Sequence, residues 1–189
     1  MTGDLQIRLH HMEDFSKANG PGVRSVIWTQ GCDLHCTGCF NQATHARNAG
    51  KLYNVQSLAK SLKNNVHQIE GITISGGEPL LQIPALTKLL WLVKRQSNLS
   101  VILFSGFTWP QIQILPGIKE VMDSVDVLLA GPYQKGLRTP NSLAGSSNKT
   151  VHFLSKRYSI EDLQFIPPAE IIITTGGEIH LSGLDPIKW

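Results

Sequence analysis

The sequence predicts an α/β fold: an open partial (β/α) barrel of mainly parallel strands, with extra terminal strands and a C-terminal hairpin. Three observations predict it. Short apolar segments of strand character alternate with helical stripes through the middle of the chain, and that alternation means a parallel sheet with crossover helices. The strand–helix units are too few to close an eight-fold barrel. The 189 residues suit one domain, 1–189, with a full hydrophobic core.

Each element has its own signal. LQIRL places Leu5, Ile7 and Leu9 on one face at period two and reads as a strand. NGPG at 19–22 is a turn signal, and VRSVIWT at 23–29 is a second strand that leads into a cysteine loop. Val55, Leu58, Ala59, Leu62 and Val66 form one helical stripe. GITIS at 71–75 is a short apolar strand. Leu86, Leu89, Leu90 and Val93 space the next helix, with Pro84 near its start, where proline is tolerated. SVILFSG at 100–106 is a strand, IKEVMDSV at 118–125 a helix, and VDVLLAG at 125–131 a strand again. A helix starting at Ser159 has a cap in Asp162, three residues on. EIIITTGGEIHLSG at 170–183 reads as a hairpin turning at Gly176 and Gly177. Ligands sit at the carboxyl ends of strands in such sheets, which picks out the cysteine loop, SGGEP, SGFTW and AGPYQ.

Composition narrows the function. The chain is 41% hydrophobic and 16% charged, which argues against long disorder. The net charge of +3 comes from scattered basic residues, so no nucleic-acid footprint is expected. The N-terminus lacks the apolar core of a signal peptide, and the run LLWLV at 89–93 is far too short to span a bilayer. The expectation is a soluble, cytoplasmic protein without a membrane partner.

All three cysteines, Cys32, Cys36 and Cys39, lie in QGCDLHCTGCFNQ at 30–42. An odd cluster of thiols is a poor disulfide framework and a better metal or redox site. Soft thiolates suit zinc or an iron–sulfur cluster. Zinc would need His35 or His45 as a fourth ligand. A cubane cluster with one open iron explains the odd count directly. Taken alone, the loop leaves these two readings level; three buried, inert cysteines among polar neighbours are a weaker third.

The second signal is ITISGGEPLLQ at 72–82. Gly76 and Gly77 allow close backbone approach, and Pro79 restricts Glu78. The expected result is a rigid carboxylate suited to an ammonium group; a plain strand-to-helix turn is the alternative.

C-x3-C-x2-C followed by GGEP after the next strand resembles the radical S-adenosylmethionine superfamily. The flanks, NGPGVR at 19–24 and TQGCDLHCTGCFNQATH at 29–45, are similar to those of the glycyl-radical-enzyme activases. The likeness continues through FSGFTW, DVLLAGPYQKGL and GSSNK, over nearly the whole chain. It implies a [4Fe-4S] cluster on Cys32, Cys36 and Cys39, with S-adenosyl-L-methionine chelating the open iron. Gly76, Gly77, Glu78 and Pro79 would hold the methionine end of that cofactor. The implied reaction is one-electron cleavage of the cofactor to methionine and a 5′-deoxyadenosyl radical, which abstracts hydrogen. The implied partners are a glycyl-radical enzyme, such as anaerobic ribonucleotide reductase, and a flavodoxin or ferredoxin electron donor. The chain departs from the family pattern at Ala130, Ala144 and Lys149, near the region expected to meet cofactor or partner.

Further candidates carry plainer alternatives. Ser105 with Gly106, Asn41, and Ser147 with Asn148 are candidates for the cofactor site, against simple turn roles. Arg24 is a candidate for the cofactor carboxylate or the partner, against an ordinary strand arginine. His10, His11 and His45 are candidate proton carriers, against surface histidines. Trp28 and Trp109 are expected in core or interface. Two other functions compete: a small radical enzyme acting directly on a peptide or small molecule, similar to the deazapurine synthases, and a zinc-binding module.

Overall fold

Buried runs at 71–74, 101–104 and 127–130, apolar except for Gly71 and Thr73, cover strands on both sheet faces, as parallel strands between two layers require. The computed structural model describes residues 4–140, 142–173 and 176–183. Its strands are β1 (Gln6–Ser16), β2 (Arg24–Thr29), β3 (Lys51–Asn54), β4 (Gly71–Gly76), β5 (Ser100–Ser105), β6 (Val127–Ala130), β7 (Thr150–Phe153), β8 (Ala169–Ile173) and β9 (Ile179–Gly183). The helices are α1 (Val55–Asn64), α2 (Ile83–Gln96), α3 (Trp109–Gln113) and α4 (Ile118–Met122). One sheet has the order β3-β1-β2-β4-β5-β6-β7, and β8 and β9 form a separate antiparallel pair. The central four strands, β2-β4-β5-β6, run parallel; β1, β3 and β7 add on antiparallel at the two sides.

Strand alternation decides which residues meet which layer. Ile72, Ile74, Val101, Leu103 and Leu128 join the core with the helices. α1 contributes Val55, Leu58, Ala59 and Leu62, and α2 contributes Leu86, Leu89, Leu90 and Val93. Asn54 caps α1 by accepting the Ser57 amide at 2.9 Å. Ile102, Phe104, Val127 and Leu129 turn to the other face, under Leu143 and Leu163. The β8–β9 pair docks on this side through Asn19, whose Nδ2 donates to Ser182 Oγ at 2.8 Å, and through Glu170, which accepts from Ser16 Oγ and the Lys17 amide.

Several expectations are revised. The helix expected at Ser159 is only a 3-10 turn at Glu161–Leu163, although Asp162 does accept from the Ser159 amide at 2.8 Å. Pro167 and Pro168 follow too soon for a longer helix. α4 is a single turn ending at Met122, short of the predicted 125. β1 continues to Ser16 through two register shifts. β3, β7 and α3 had no clear local signal; β3 is mostly exposed and exists through its pairing with β1. The hairpin forms at the expected place, but residues 174–175 of its turn lie outside the described residues.

Candidate active site

The two motifs are stapled together at the carboxyl ends of β2 and β4. The Gly77 amide donates to Thr29 O at 2.8 Å and the Glu78 amide to Gly31 O at 2.8 Å, extending the β2–β4 ladder into the loops. The cysteine loop is closed on itself by Gly31 N to Thr44 O (2.7 Å) and Cys32 N to His45 O (3.1 Å). Two glutamines brace its root. Gln30 Nε2 donates to Ala43 O and Ala46 O, and Gln82 Nε2 donates to Arg8 O and Gln30 O. Gly77 has no room for a side chain: a Cβ there would lie 2.3 Å from Gly31 O. Gly76, at φ +107°, would meet the Thr29 amide nitrogen at 2.4 Å.

Around this junction lies a cavity with about 880 Å³ of empty space, partly open to solvent. Cys32, Cys36 and Cys39 all line it, and all three are free thiols. Gly76, Gly77, Ser105, Gly106 and Asn41 line it too. Trp28, Phe104, Phe40 and Tyr133 supply aromatic walls, and Phe40 meets Tyr133 edge-on at 5.1 Å. Burial pushes the Cys32 and Cys39 thiols up from their ordinary range.

Other candidates fall elsewhere. Glu78 is fully buried, and its carboxylate accepts from Leu80 N (3.0 Å), Ser105 Oγ (3.0 Å) and Gly106 N (2.7 Å). It does not line the cavity. Burial raises its pKa to about 7, with the three donors pulling the other way. Pro79 is buried at the start of the following 3-10 turn and does not line the cavity.

Arg24 is at the wrong end of the sheet. It pairs with Gly71, the first residue of β4, whereas Gly76 at the other end lines the cavity. Five residues of strand put about 16 Å between them. The guanidinium donates to Thr73 Oγ1 (2.8 Å), Ile72 O (2.7 Å) and Ser100 Oγ (3.0 Å), and burial holds its pKa below the ordinary value. Arg24 therefore fastens β4 and β5 at their amino ends.

Ser147 is exposed and outside the cavity lining, and Asn148 donates to Pro132 O at 2.8 Å. Ala130 packs in the helix-side core, away from the cavity. His10 holds Gln30 Oε1 at 3.0 Å, His11 stacks on Trp28, and Trp109 stacks on His152. His45 reaches the cavity; His35 is exposed.

Sequence reasoning missed Asn19, Tyr133 and Gly183 as lining residues, and it treated Lys149 only as a departure from a family pattern. Lys149 lines the cavity with the three thiols. Burial lowers its pKa, against attraction from Glu78, Cys36 and Cys39.

The donors are of the soft type that an iron–sulfur cluster takes. Among the described residues, no three His, Cys, Asp or Glu side chains are grouped closely enough to hold a metal ion. Three soft thiols spread around one cavity match a cubane, which is ligated at separate corners.

Comparison with known proteins agrees. Residues 18–152 match the family described as a 4Fe-4S single cluster domain. The anaerobic ribonucleoside-triphosphate reductase-activating protein of Enterobacteria phage T4 is 33% identical over 139 residues, covering 69% of this chain and 84% of that protein. Its namesake in Escherichia coli (strain K12) is 28% identical over 144 residues, covering 72% of this chain and 92% of its own. The pyruvate formate-lyase-activating enzyme of Clostridium pasteurianum is 31% identical over 141 residues, covering 68% of this chain and 59% of that enzyme. Among solved structures, QueE from Escherichia coli aligns with a TM-score of 0.45 at 16% identity, covering 56% of this chain and 54% of its own, too slight a likeness to bear on function. The zinc alternative gives way to the family match. The chain belongs to the 4Fe-4S single cluster domain family and is a radical S-adenosylmethionine activating enzyme, with a [4Fe-4S] cluster and S-adenosyl-L-methionine as its cofactors.

Proposed function

We propose that this enzyme installs a glycyl radical on a partner enzyme, with anaerobic ribonucleotide reductase as the first candidate. The observation that carries the reading is the convergence of Cys32, Cys36, Cys39, Gly76 and Gly77 on one partly open cavity at the carboxyl ends of the parallel strands. The names of the relatives support the choice of partner. In this reading the open sheet is a partial barrel, electrons come from a flavodoxin or ferredoxin, and the reducing cytoplasm is the setting.

When bound, the cluster and S-adenosyl-L-methionine supply a 5′-deoxyadenosyl radical that takes hydrogen from a glycine of the partner. The chain's own residues position and shield. Cys32, Cys36 and Cys39 hold the cluster. Gly76 and Gly77 bring backbone to the cofactor's methionine end, with Asn41 and Ser105 beside it. Glu78 acts one step back, keeping the GGEP turn closed against the end of β5, and Pro79 starts the buried 3-10 turn that follows. Trp28, Phe40, Phe104 and Tyr133 exclude water from the reacting volume.

The test is paramagnetic resonance of an anaerobic mixture of reduced protein, S-adenosyl-L-methionine and the reductase. A glycyl doublet is expected. Turnover of a small substrate with no doublet on the reductase would instead favour direct chemistry on small molecules. Cys36→Ala is expected to lose the cluster and to form no 5′-deoxyadenosine; wild-type formation would refute the ligand assignment.

A further inference from the structure

We propose that Lys149 sets the reduction potential of the cluster, its ammonium stabilising the negative charge that arrives with the electron. This rests on the reading that Cys32, Cys36 and Cys39 carry the cluster. Lys149 lines the same cavity as those thiols, and its ammonium lies 5.9 Å from the Phe104 ring centroid on the cavity wall. Its backbone is set by the β6–β7 pair. It immediately precedes β7, its amide donates to Ser146 O at 3.2 Å, and its Cα lies 3.3 Å from where a Cβ on Gly131 would sit. The charge is thus carried by a residue fixed at the entry to β7, not on the strand itself.

Three thiolates leave a resting cubane with net negative charge. One electron from a low-potential flavodoxin or ferredoxin adds one more negative charge, with no bond broken. Net charge and solvent exposure set the potentials of such clusters. A cation in the same partly enclosed cavity is screened little and favours the reduced state. Lys135 provides an internal contrast. It packs over Gly38, where a Cβ would lie 2.8 Å from its Cδ, but it is exposed and does not line the cavity. Solvent screens its charge.

The experiment titrates reconstituted cluster, without S-adenosyl-L-methionine or partner, against dithionite with redox mediators, reading the paramagnetic signal of the reduced state. Wild type, Lys149→Gln, Lys149→Met, Lys149→Arg and Lys135→Gln are compared at equal iron per chain. Lys149→Gln and Lys149→Met are expected to lower the reduced-to-oxidised ratio at a fixed potential about tenfold or more, a fall of about 59 mV or more. Lys149→Arg and Lys135→Gln are expected to stay within about threefold of wild type, since each keeps the cavity cation. The proposal is overturned if Lys149→Gln titrates with wild type, if Lys135→Gln shifts as far, or if both neutral variants lose their iron. A wild-type protein that takes up no iron would instead refute the cluster reading beneath it.

Discussion

Arg24 and Glu78 are both fully buried and charged by type, and each is enclosed by protein hydrogen bonds at an opposite end of the sheet. Their sequence contexts, GPGVR and GGEP, suggest ligand contact equally well; only the partners distinguish them. Removing Arg24 leaves Ile72 O, Ser100 Oγ and Thr73 Oγ1 without their shared donor. Arg24→Met is expected to lose about 3 kcal/mol or more of stability in urea unfolding, while S-adenosyl-L-methionine affinity of the folded protein stays within about twofold. A large affinity loss at unchanged stability would return Arg24 to the cofactor site. For Glu78, burial raises the folded pKa from the ordinary 4.5 to about 7. Between those values the folded state holds the extra proton. Its contribution to stability is therefore full below about pH 4.5 and is lost as pH rises through about 7, by about 3 kcal/mol. Glu78→Gln cannot titrate. The stability of wild type relative to the variant, from urea curves at pH 5 and pH 8, is expected to fall by about that amount as pH rises. Parallel curves would contradict the assignment.

At the scale of elements, α2 was the plainest helix to read, because Leu86, Leu89, Leu90 and Val93 recur at helical spacing and all four are buried. Leu89→Ala is expected to cost about 2–5 kcal/mol in denaturant unfolding, because Leu89 is fully buried in the helix-side core. The turn after β4 is subject to a different constraint. A methyl group on Gly77 would press on Gly31 O, which accepts the Glu78 amide, and so would push the cysteine loop off the end of β4. Gly77→Ala is expected to cost about 1–3 kcal/mol and to lower iron retention after reconstitution, measured as iron per chain. Full retention would separate the two loops functionally. The short elements were not legible for physical reasons. β3 has no buried face to impose alternation, and the Ser159 cap precedes too few residues to propagate a helix.

For the whole molecule, the core between the helices and the sheet is made from residues outside the cysteine loop. Stripping iron with a chelator is therefore expected to leave far-UV circular dichroism nearly unchanged and to confine new proteolytic cleavage to residues 32–45. Global unfolding on iron removal would show that the cluster holds the fold together. Among the described residues, no helix is long and apolar enough to cross a membrane. The sequence by itself determined the chemistry: three thiols at C-x3-C-x2-C spacing, followed by GGEP after the next strand, are local patterns that need no structure to be seen. It also determined the central strands and the two longer helices, whose burial follows from period. The tertiary structure decided which residues share the cavity. Gly31 meets Gly77 because β2 and β4 are parallel neighbours, and Lys149 joins the thiols in the cavity lining because β7 pairs with β6. It also turned Glu78 inward and placed Arg24 at the far end. Such juxtapositions depend on pairing between distant segments, and no local periodicity encodes them.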